Sequence, residues 1–243
     1  MLQKMRKYQF LFEELVKRDF KKKYKRTVLG MFWSVLSPLL MLLVMSLVFT
    51  QFFGRSTPHY TIYLFSGQLV FSYFTDATNS GMSSLMDNST IFSKINVPKY
   101  MFLLSKNVSS FINFCLTLVV FLLFVAIDGI PFRWTFLLLL YPIGCLVVFN
   151  IGMGLILSAL YMVFKDVKYL YTVVTQVIMY FSAIFYNIEA FSLHIRYLFY
   201  LNPIFVYIRY FRKIVIEATI PTVWFHLLMA ADVAIVLGIG CWM

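Results

Sequence analysis

Two carboxylates stand inside long apolar runs, and their position makes them candidates for chemistry within a membrane. Asp76 lies among hydroxyl and amide side chains in residues 60–86, and Asp232 is surrounded by apolar residues in residues 222–243. An ionisable residue in a membrane segment is costly and is a functional candidate by default. A structural role remains an alternative for both, and for Asp76 a hydrogen-bonded network between helices is an equally good interpretation.

Aromatic residues near Asp76 and in a later apolar run could line a path through which a sugar passes. Sugar rings present apolar C–H faces that pack on aromatic rings, while their hydroxyls seek polar side chains. With Asp76, the candidates for this path are Tyr73, Phe74, Tyr180, Phe181, Phe185 and Tyr186. Tyrosine and tryptophan also collect at membrane interfaces, so lipid contact or packing is the favoured interpretation of each.

Three cations late in the chain allow a second kind of contact. Arg209, Arg212 and Lys213 could meet a pyrophosphate or an acidic glycan outside the membrane. A solvated external face is the favoured interpretation of these residues.

No pattern in the sequence predicts catalysis or metal binding. A G-x-x-x-x-G-K-[ST] phosphate loop is absent, so ATP hydrolysis by that route is not expected in this chain. The three histidines and three cysteines have no ligand spacing, which predicts no metal site. The ten acidic residues are spread out, which disfavours a membrane enzyme acting on polyprenyl-linked sugars.

The composition predicts the elements that must position these residues. Only 13% of residues are charged and 61% are hydrophobic, whereas soluble domains carry about 25% charged residues. A membrane-crossing helix needs about 20 apolar residues, and six runs approach that length. We predict an all-α integral membrane protein with spans at residues 28–53, 60–86, 101–127, 134–164, 169–186 and 222–243.

The basic residues predict the orientation of these spans. Ten of the 21 Lys and Arg residues precede residue 28, and five more flank the connections after the second and fourth spans. Cytoplasmic loops carry such an excess, so the N-terminus is predicted to be cytoplasmic. Residues 1–26 lack a continuous apolar stretch, and no cleavable signal peptide is expected there.

Residues 1–27 are predicted to form a cytoplasmic amphipathic helix at the membrane interface, ahead of a six-span domain at residues 28–243. Apolar residues recur there at i, i+3, i+4, i+7 and i+8, beginning at Tyr8 and including Leu11, Phe12 and Leu15. Lys17 and Arg18 belong to a basic cluster that can approach anionic headgroups. The helix is interpreted either as a topology and lipid anchor or as a docking surface for a cytoplasmic partner.

Two connections are predicted to contain short helices. In residues 187–221, a charged stretch and the Asn202-Pro203 break favour helices at 191–201 and 203–218. These helices would form an external, half-buried hairpin that is either re-entrant or interfacial. In residues 87–99, Ser89 or Thr90 can cap a helix that Pro98 ends. An ordinary cytoplasmic loop is the alternative for that second segment.

Four stretches resemble the ABC-2 permease family, in particular subunits that export O-antigen, teichoic acid and capsule-type polysaccharides. They are KRDFKKKYKRTVLGMFWSVLSPLL (17–40), KINVPKYMFLLSKNVSSFINF (94–114), FKDVKYL (164–170) and LNPIFVYIRYFRKIV (201–215). The four occur in the family's order and cover most of the predicted topology. Lys165 and Lys168 depart from the pattern because arginines are common at those positions.

The resemblance implies a permease subunit that exports a lipid-linked polysaccharide or teichoic-acid-type polymer across a bacterial cytoplasmic (inner) membrane. It implies two copies of this chain, two partner ATPase subunits that bind ATP and Mg²⁺, and no cofactor in this chain. Membrane lipids are expected partners and nucleic acid is not.

The resemblance also implies roles for residues at the membrane surface. An interface helix would include Leu11, Phe12, Leu15, Lys17 and Arg18. Coupling to the ATPase would involve Ile91, Phe92, Ser93, Lys94, Ile95, Pro98 and Lys99.

Other classes of protein remain open. A drug or small-lipid exporter of the same family would have a narrower, less aromatic path. A membrane enzyme is the second alternative. A secondary transporter is disfavoured because no inverted repeat is evident.

Overall fold

The computed structural model describes residues 8–24, 29–53, 57–94 and 97–243. All regular structure in these ranges is helical. The α-helices are α1 Gln9–Tyr24, α2 Trp33–Phe53, α3 Tyr60–Asp87, α4 Ser89–Phe92, α5 Tyr100–Ile127, α6 Leu140–Val163, α7 Val167–Phe181, α8 Leu193–Phe199, α9 Pro203–Val215 and α10 Val223–Trp242. Short 3₁₀ helices lie at Gly30–Phe32, Trp134–Leu139 and Ile188–Ala190.

Four helical segments in the described ranges are long and apolar enough to cross a membrane. They are Trp33–Thr50, Tyr100–Ile127, Trp134–Val163 and Val223–Trp242. Each corresponds to a predicted span, namely the first, third, fourth and sixth. The first predicted span begins at Val28, which lies outside the described residues.

The second and fifth predicted spans differ from these four for separate reasons. Helix α3 has 28 residues, but polar side chains interrupt its apolar character. Helix α7 has 15 residues, which corresponds to about 22 Å of helix, shorter than a hydrocarbon core of about 30 Å.

Helix α3 lies at the centre of the bundle, where it packs against α2, α5, α6 and α9. Its aromatic residues fill the core, with the Phe65 ring 5.4 Å from that of Phe121. Its contact with α6 is close because a Cβ built on Gly81 would lie 3.1 Å from the Cα of Gly154. Small residues at such crossings allow membrane helices to pack backbone to backbone.

The hairpin helices are shorter than predicted, and the second is more deeply buried. Pro203 occupies the first turn of α9 as expected, and the Asn202 side chain accepts a hydrogen bond from the Ile204 amide at 3.0 Å. Helix α9 is not half-buried, since α3 and α6 cover it together with α10 and most of its side chains are inaccessible. The expectation of a half-buried helix is therefore wrong for α9.

The helix in residues 87–99 is also shorter than predicted. Helix α4 begins at Ser89 with Asn88 as its N-cap residue, so the predicted cap at Ser89 or Thr90 is wrong. The Asn88 side chain makes no cap bond. Its Oδ1 accepts from Arg18 Nη2 at 2.7 Å instead, and its Nδ2 donates to the Ser84 carbonyl at 2.7 Å. The helix ends at Phe92, well before Pro98. Ile95 lies outside the described residues.

Helix α1 packs its apolar face on protein rather than presenting it to lipid alone. Leu15 is buried against Met101 and Phe102 of α5, and the predicted face residues Leu11 and Phe12 pack around this cluster. Helix α1 therefore differs from the predicted helix, which would rest in the membrane interface without packing on the rest of the protein. Residues 1–7 and 25–27 of the predicted interface segment lie outside the described residues.

Candidate functional site

A group of polar and charged side chains joins α1 to the segment after α3 and to the start of α5. We call Arg18, Asp19, Asp87, Asn88, Ser105 and Lys106 the Asp19 cluster. Asp19 is only 7% exposed. Its carboxylate accepts from Arg18 Nη2 at 2.8 Å and from Ser105 Oγ at 3.3 Å.

Two further contacts extend the Asp19 cluster to the segment at residues 87–99. Arg18 Nη2 also donates to Asn88 Oδ1 at 2.7 Å. Lys106 Nζ lies 3.2 Å from Asp87 Oδ2 and 3.8 Å from Asp19 Oδ1. Because these side chains come from three separate parts of the chain, the cluster holds those parts together as one unit.

Sequence reasoning did not identify Asp19. Its position nevertheless carried a signal, because it follows Leu15 by four residues and therefore continues the apolar face of α1. A single carboxylate on the buried face of a basic helix indicates a partner within the protein. Lys17, by contrast, is exposed, and its hydrogen bond to Glu14 at 3.0 Å raises the pKa of its ammonium group.

The candidate coupling residues lie beside α1. Ile91 packs on the apolar cluster formed by Leu15, Val97 and Phe102. Lys94 is exposed, and the Ser93 hydroxyl donates to the Thr90 carbonyl at 3.1 Å. Pro98 and Lys99 lead into α5. The interface helix and the predicted coupling segment thus form one surface.

A cleft of about 830 Å³ lies between α2, α3 and α5. We call it the polar cleft for its stripe of polar side chains, although most of its accessible surface is apolar. Its α3 wall is a stripe of polar residues spaced at i, i+4, i+7, i+8 and i+11. These are Gln68, Ser72, Thr75, Asp76 and Asn79. Ser34 and Ser37 of α2 and Ser110, Asn113 and Thr117 of α5 provide the facing polar side chains. Trp33, Phe65 and Phe114 are aromatic members of the lining.

Several cleft side chains are held by their own helices. Thr75 Oγ1 donates to the Phe71 carbonyl at 3.1 Å, and Asn79 Nδ2 donates to the Thr75 carbonyl at 2.8 Å. Thr117 Oγ1 donates to the Asn113 carbonyl at 3.1 Å. A hydroxyl that donates in this way retains lone pairs, so it can accept a further hydrogen bond.

The structure brings two of the predicted path residues to the cleft. Asp76 and Tyr73 both line it, and the Tyr73 ring lies 4.6 Å from that of Phe114. Phe74 lies in the core instead, with its ring 6.2 Å from that of Phe149. The cleft walls from α2 and α5 were not predicted, although their serines, threonine and asparagine recur at helical spacing in apolar runs.

The remaining predicted path residues lie elsewhere in the protomer. Tyr180 and Phe181, at the end of α7, are 60% and 53% exposed. Phe185 stacks on Phe49 at 4.8 Å, and the Tyr186 hydroxyl donates to the Tyr180 carbonyl at 2.6 Å. A single chain therefore does not gather these four residues with Tyr73 and Asp76.

Arg212 corrects the expectation of a solvated cationic face. It is 2% exposed. Its guanidinium donates to the carbonyls of Ala183, Ile184 and Tyr63 at 2.9, 3.0 and 3.1 Å. Its Cζ lies 3.4 Å from the centre of the Tyr63 ring. The cation satisfies carbonyls just beyond α7, where the chain has left the helix.

The other two predicted cations, Arg209 and Lys213, have partners within the protein. Arg209 forms an ion pair with Glu217, and Lys213 lies 5.5 Å from the centre of the Phe225 ring. Asp232, the second intramembrane carboxylate, is half-buried on α10. Among the described ranges, no group of three or more His, Cys, Asp or Glu side chains could hold a metal ion.

Both the Asp19 cluster and the polar cleft lie within a region that matches a known family. Residues 11–216 match the family described as ABC-2 type transporter, and the match covers most of the chain. The chain belongs to the ABC-2 type transporter family. Its membership, together with its four long apolar helices, identifies an ABC-2 type transporter chain that resides in a membrane.

Three relatives of this ABC-2 type transporter chain carry the same name, O-antigen export system permease protein RfbA. The relative from Myxococcus xanthus is 27% identical over 173 residues, 70% of this chain and 65% of its own length. One from Klebsiella pneumoniae is 26% identical over 216 residues, 87% and 83% of the two chains. A second from Klebsiella pneumoniae is 27% identical over 164 residues, 65% and 63%. The matched regions thus cover slightly less than two thirds of the Myxococcus relative and of the second Klebsiella relative.

Proposed function

We propose that this chain is the transmembrane permease subunit of an ABC exporter for a lipid-linked polysaccharide or teichoic-acid-type polymer. The observation that carries the proposal is the family match over residues 11–216, joined to three relatives named O-antigen export permeases. The hydroxyl and amide side chains of the cleft suit a hydroxyl-rich substrate. The chain itself performs no chemical reaction in this proposal.

The proposal includes six crossings, with α3 and α7 as the second and fifth. The polar side chains of α3 support this because they face protein and the cleft, where polar groups are tolerated at membrane depth. The chain also passes between the two ends of the bundle in both segments. At one end His59 pairs with Asp128 and the Tyr60 hydroxyl donates to the Phe185 carbonyl at 2.7 Å.

At the other end of the bundle, the end of α3 and the start of α7 lie side by side. Lys106 pairs there with Asp87, and Tyr171 of α7 packs with Met82 of α3. Most Lys and Arg residues lie before the first span and around the connections after the second and fourth spans. We therefore assign the end of the bundle that holds α1 to the cytoplasmic side of a bacterial inner membrane.

In this proposal a separate partner chain binds ATP and Mg²⁺ and acts on residues 87–99. Contact between Ile91 and the α1 cluster, and between Arg18 and Asn88, supports transmission of a movement from that segment to α1 and α5. Two copies of this chain and two ATPase subunits would form the exporter. The two copies together would enclose the path, and α2 and α7 expose apolar residues on their outer faces.

Site-specific crosslinking tests the partnership. A photoreactive residue at Lys94, which is exposed beside α4, should capture a phosphate-loop ATPase in cells of the native host. The same residue at Trp134, 89% exposed at the opposite end of the bundle, is the matched control and should not. Mass spectrometry would identify the captured chain. If no ATPase is captured from Lys94, nor recovered with the tagged chain in mild detergent, the exporter proposal is wrong.

A further inference from the structure

We propose that the polar cleft between α2, α3 and α5 is a binding site for an uncharged sugar ring, present in each protomer. This inference rests on the proposed function and names the part of the substrate that the cleft recognises. It places recognition within one chain, on residues of the first three predicted spans, rather than on aromatic residues contributed by two copies.

The volume of the cleft and its length along α3 suit a sugar ring. Its volume of about 830 Å³ falls within the range of roughly 300–1,000 Å³ for ligand pockets. From Gln68 to Asn79, the polar stripe extends about 16 Å along α3. This length is continuous and lies in the middle of the helix, so the stripe is not a feature of a helix end.

The chemistry of the walls selects hydroxyl groups. Most lining side chains are hydroxyls and amides, which both donate and accept hydrogen bonds as sugar hydroxyls do. A sugar ring offers these groups both donors and acceptors, whereas an acyl chain offers neither. Trp33, which is 40% exposed, supplies a flat apolar surface for the C–H face of a ring. An amphipathic ring satisfies both sets of contacts at once.

The charge of the cleft argues against a phosphate group as its ligand. Among the described residues that line it, none is a lysine, arginine or histidine. Its one ionisable carboxyl, on Asp76, offers an anion no favourable charge. Sites for phosphates ordinarily use cationic side chains or clustered main-chain amides. The cleft therefore fits the sugar part of a lipid-linked glycan rather than its phosphate linkage.

The position of the cleft indicates the stage at which the ligand would enter. On α2 the lining residues lie between Trp33 and Met41, in the half nearest α1. On α5 they lie between Ser110 and Thr117, near the middle of the helix. The cleft therefore occupies the middle of the bundle and the half on the α1 side. In the proposed topology this is the half that faces a substrate before export.

Photolabelling with matched probes tests this site. The complex of this chain with its ATPase, held in nanodiscs, is exposed to an octyl glucoside that carries a diazirine on the sugar. Labelled peptides from α2, α3 and α5 are then mapped by mass spectrometry. Excess octyl glucoside should compete for the labelling, whereas octyl phosphate should not. A second probe with the diazirine on the octyl chain reports occupancy by lipid.

Removal of hydroxyls from the cleft supplies the structural test. The double variant Thr75→Val, Thr117→Val keeps side-chain shape and should reduce sugar-probe labelling about tenfold through the loss of two hydrogen bonds. Thr172→Val removes an exposed hydroxyl of α7 and is the matched control, with labelling unchanged. Size-exclusion profiles equal to the parent establish that each variant folds. If the double variant does not fold, Ser72→Ala replaces it.

Each outcome decides the inference. Labelling by the chain probe alone makes the cleft a lipid site, and competition by octyl phosphate makes it an anion site. Sugar-probe labelling that is equal in the parent and in the Thr75→Val, Thr117→Val variant also overturns the proposal. Capture of the ATPase from Lys94 without sugar labelling removes only this site. Sugar labelling of the isolated chain without ATPase capture removes only the exporter proposal.

Discussion

Arg212 and Asp19 are both buried, but their charges are compensated in different ways at opposite ends of the bundle. Arg212 has three main-chain carbonyls and the Tyr63 ring as partners. Asp19 has the side chains of Arg18, Ser105 and Lys106. Main-chain partners move only if the backbone moves, whereas side chains can exchange partners by rotating. The contrast indicates a rigid connection around Arg212 and an adjustable one around Asp19.

The difference matches the positions of these residues in the proposed exporter. Arg212 joins α9, the start of α3 and the chain beyond α7, where a fixed packing keeps the hairpin in place. Asp19 joins α1 and α5 beside the segment on which an ATPase would act. We expect substitutions at Arg212 to affect stability most, and substitutions at Asp19 to affect coupling more than stability.

The largest expected effect is that of Arg212→Met. Loss of the guanidinium removes three buried hydrogen bonds to main-chain carbonyls and should lower stability by on the order of 3 kcal/mol. Arg212→Lys should be intermediate, because an ammonium cannot reproduce the planar fork. Lys213→Met, next along α9, is the control and should cost less than about 1 kcal/mol. The fraction that remains monodisperse after heating measures each change, and a stable Arg212→Met variant would contradict a rigid connection.

Gly67→Ala should have the next largest effect, since it acts on the same contact from the opposite side. A Cβ at Gly67 would lie 3.0 Å from Arg212 Nη2 and 3.1 Å from Ile184 Cγ2. Such overpacking should cost about 1–3 kcal/mol. Gly144→Ala, where a Cβ meets nothing within 4 Å, should be neutral or stabilising by up to about 1 kcal/mol.

A double-mutant cycle sharpens this second prediction. In the Arg212→Met background, Gly67→Ala should cost less than it does alone, because the guanidinium is no longer beside the new methyl group. Thermal stability in detergent measures all four proteins. Equal costs in both backgrounds would show that Arg212 is not the constraint.

Asp19→Asn should have the smallest effect on stability, about 1 kcal/mol, because the amide keeps one acceptor for Arg18 or Ser105. In the reconstituted exporter, it should reduce ATP-driven transport more than heat stability, since the link between α1 and α5 loses its charge. Glu14→Gln alters only the exposed pair with Lys17 and should change neither quantity measurably. If transport falls only in proportion to stability, Asp19 is simply structural.

Much of the fold could be predicted from local patterns in the sequence, which involve residues close together in the chain. Four of the predicted spans correspond to long apolar helices, because an apolar run of sufficient length has few alternatives in a membrane. The apolar face of α1 and Pro203 in the first turn of α9 were also predicted correctly. The cap of α4 was predicted wrongly, because the N-cap residue is Asn88 and its Oδ1 accepts from Arg18 of α1, a residue distant in the chain.

The candidate site was less accessible to sequence reasoning. Tyr73 and Asp76 were singled out and do line the cleft, but its other walls come from helices far apart in the chain. Asp19 and Arg212 look like members of exposed basic clusters. Their burial follows from which helices cover them, and a single sequence does not specify that.

The amino-acid sequence by itself determined that the chain is an all-helical membrane protein, and it carried the motifs of its family. These properties follow from composition and from the period of a helix, which are local. Tertiary structure alone decided that polar residues of α2, α3 and α5 enclose one cleft, and that Asp19 and Arg212 are buried with different partners. The physical reason is that desolvation and pairing of a polar group depend on packing between segments distant in the chain.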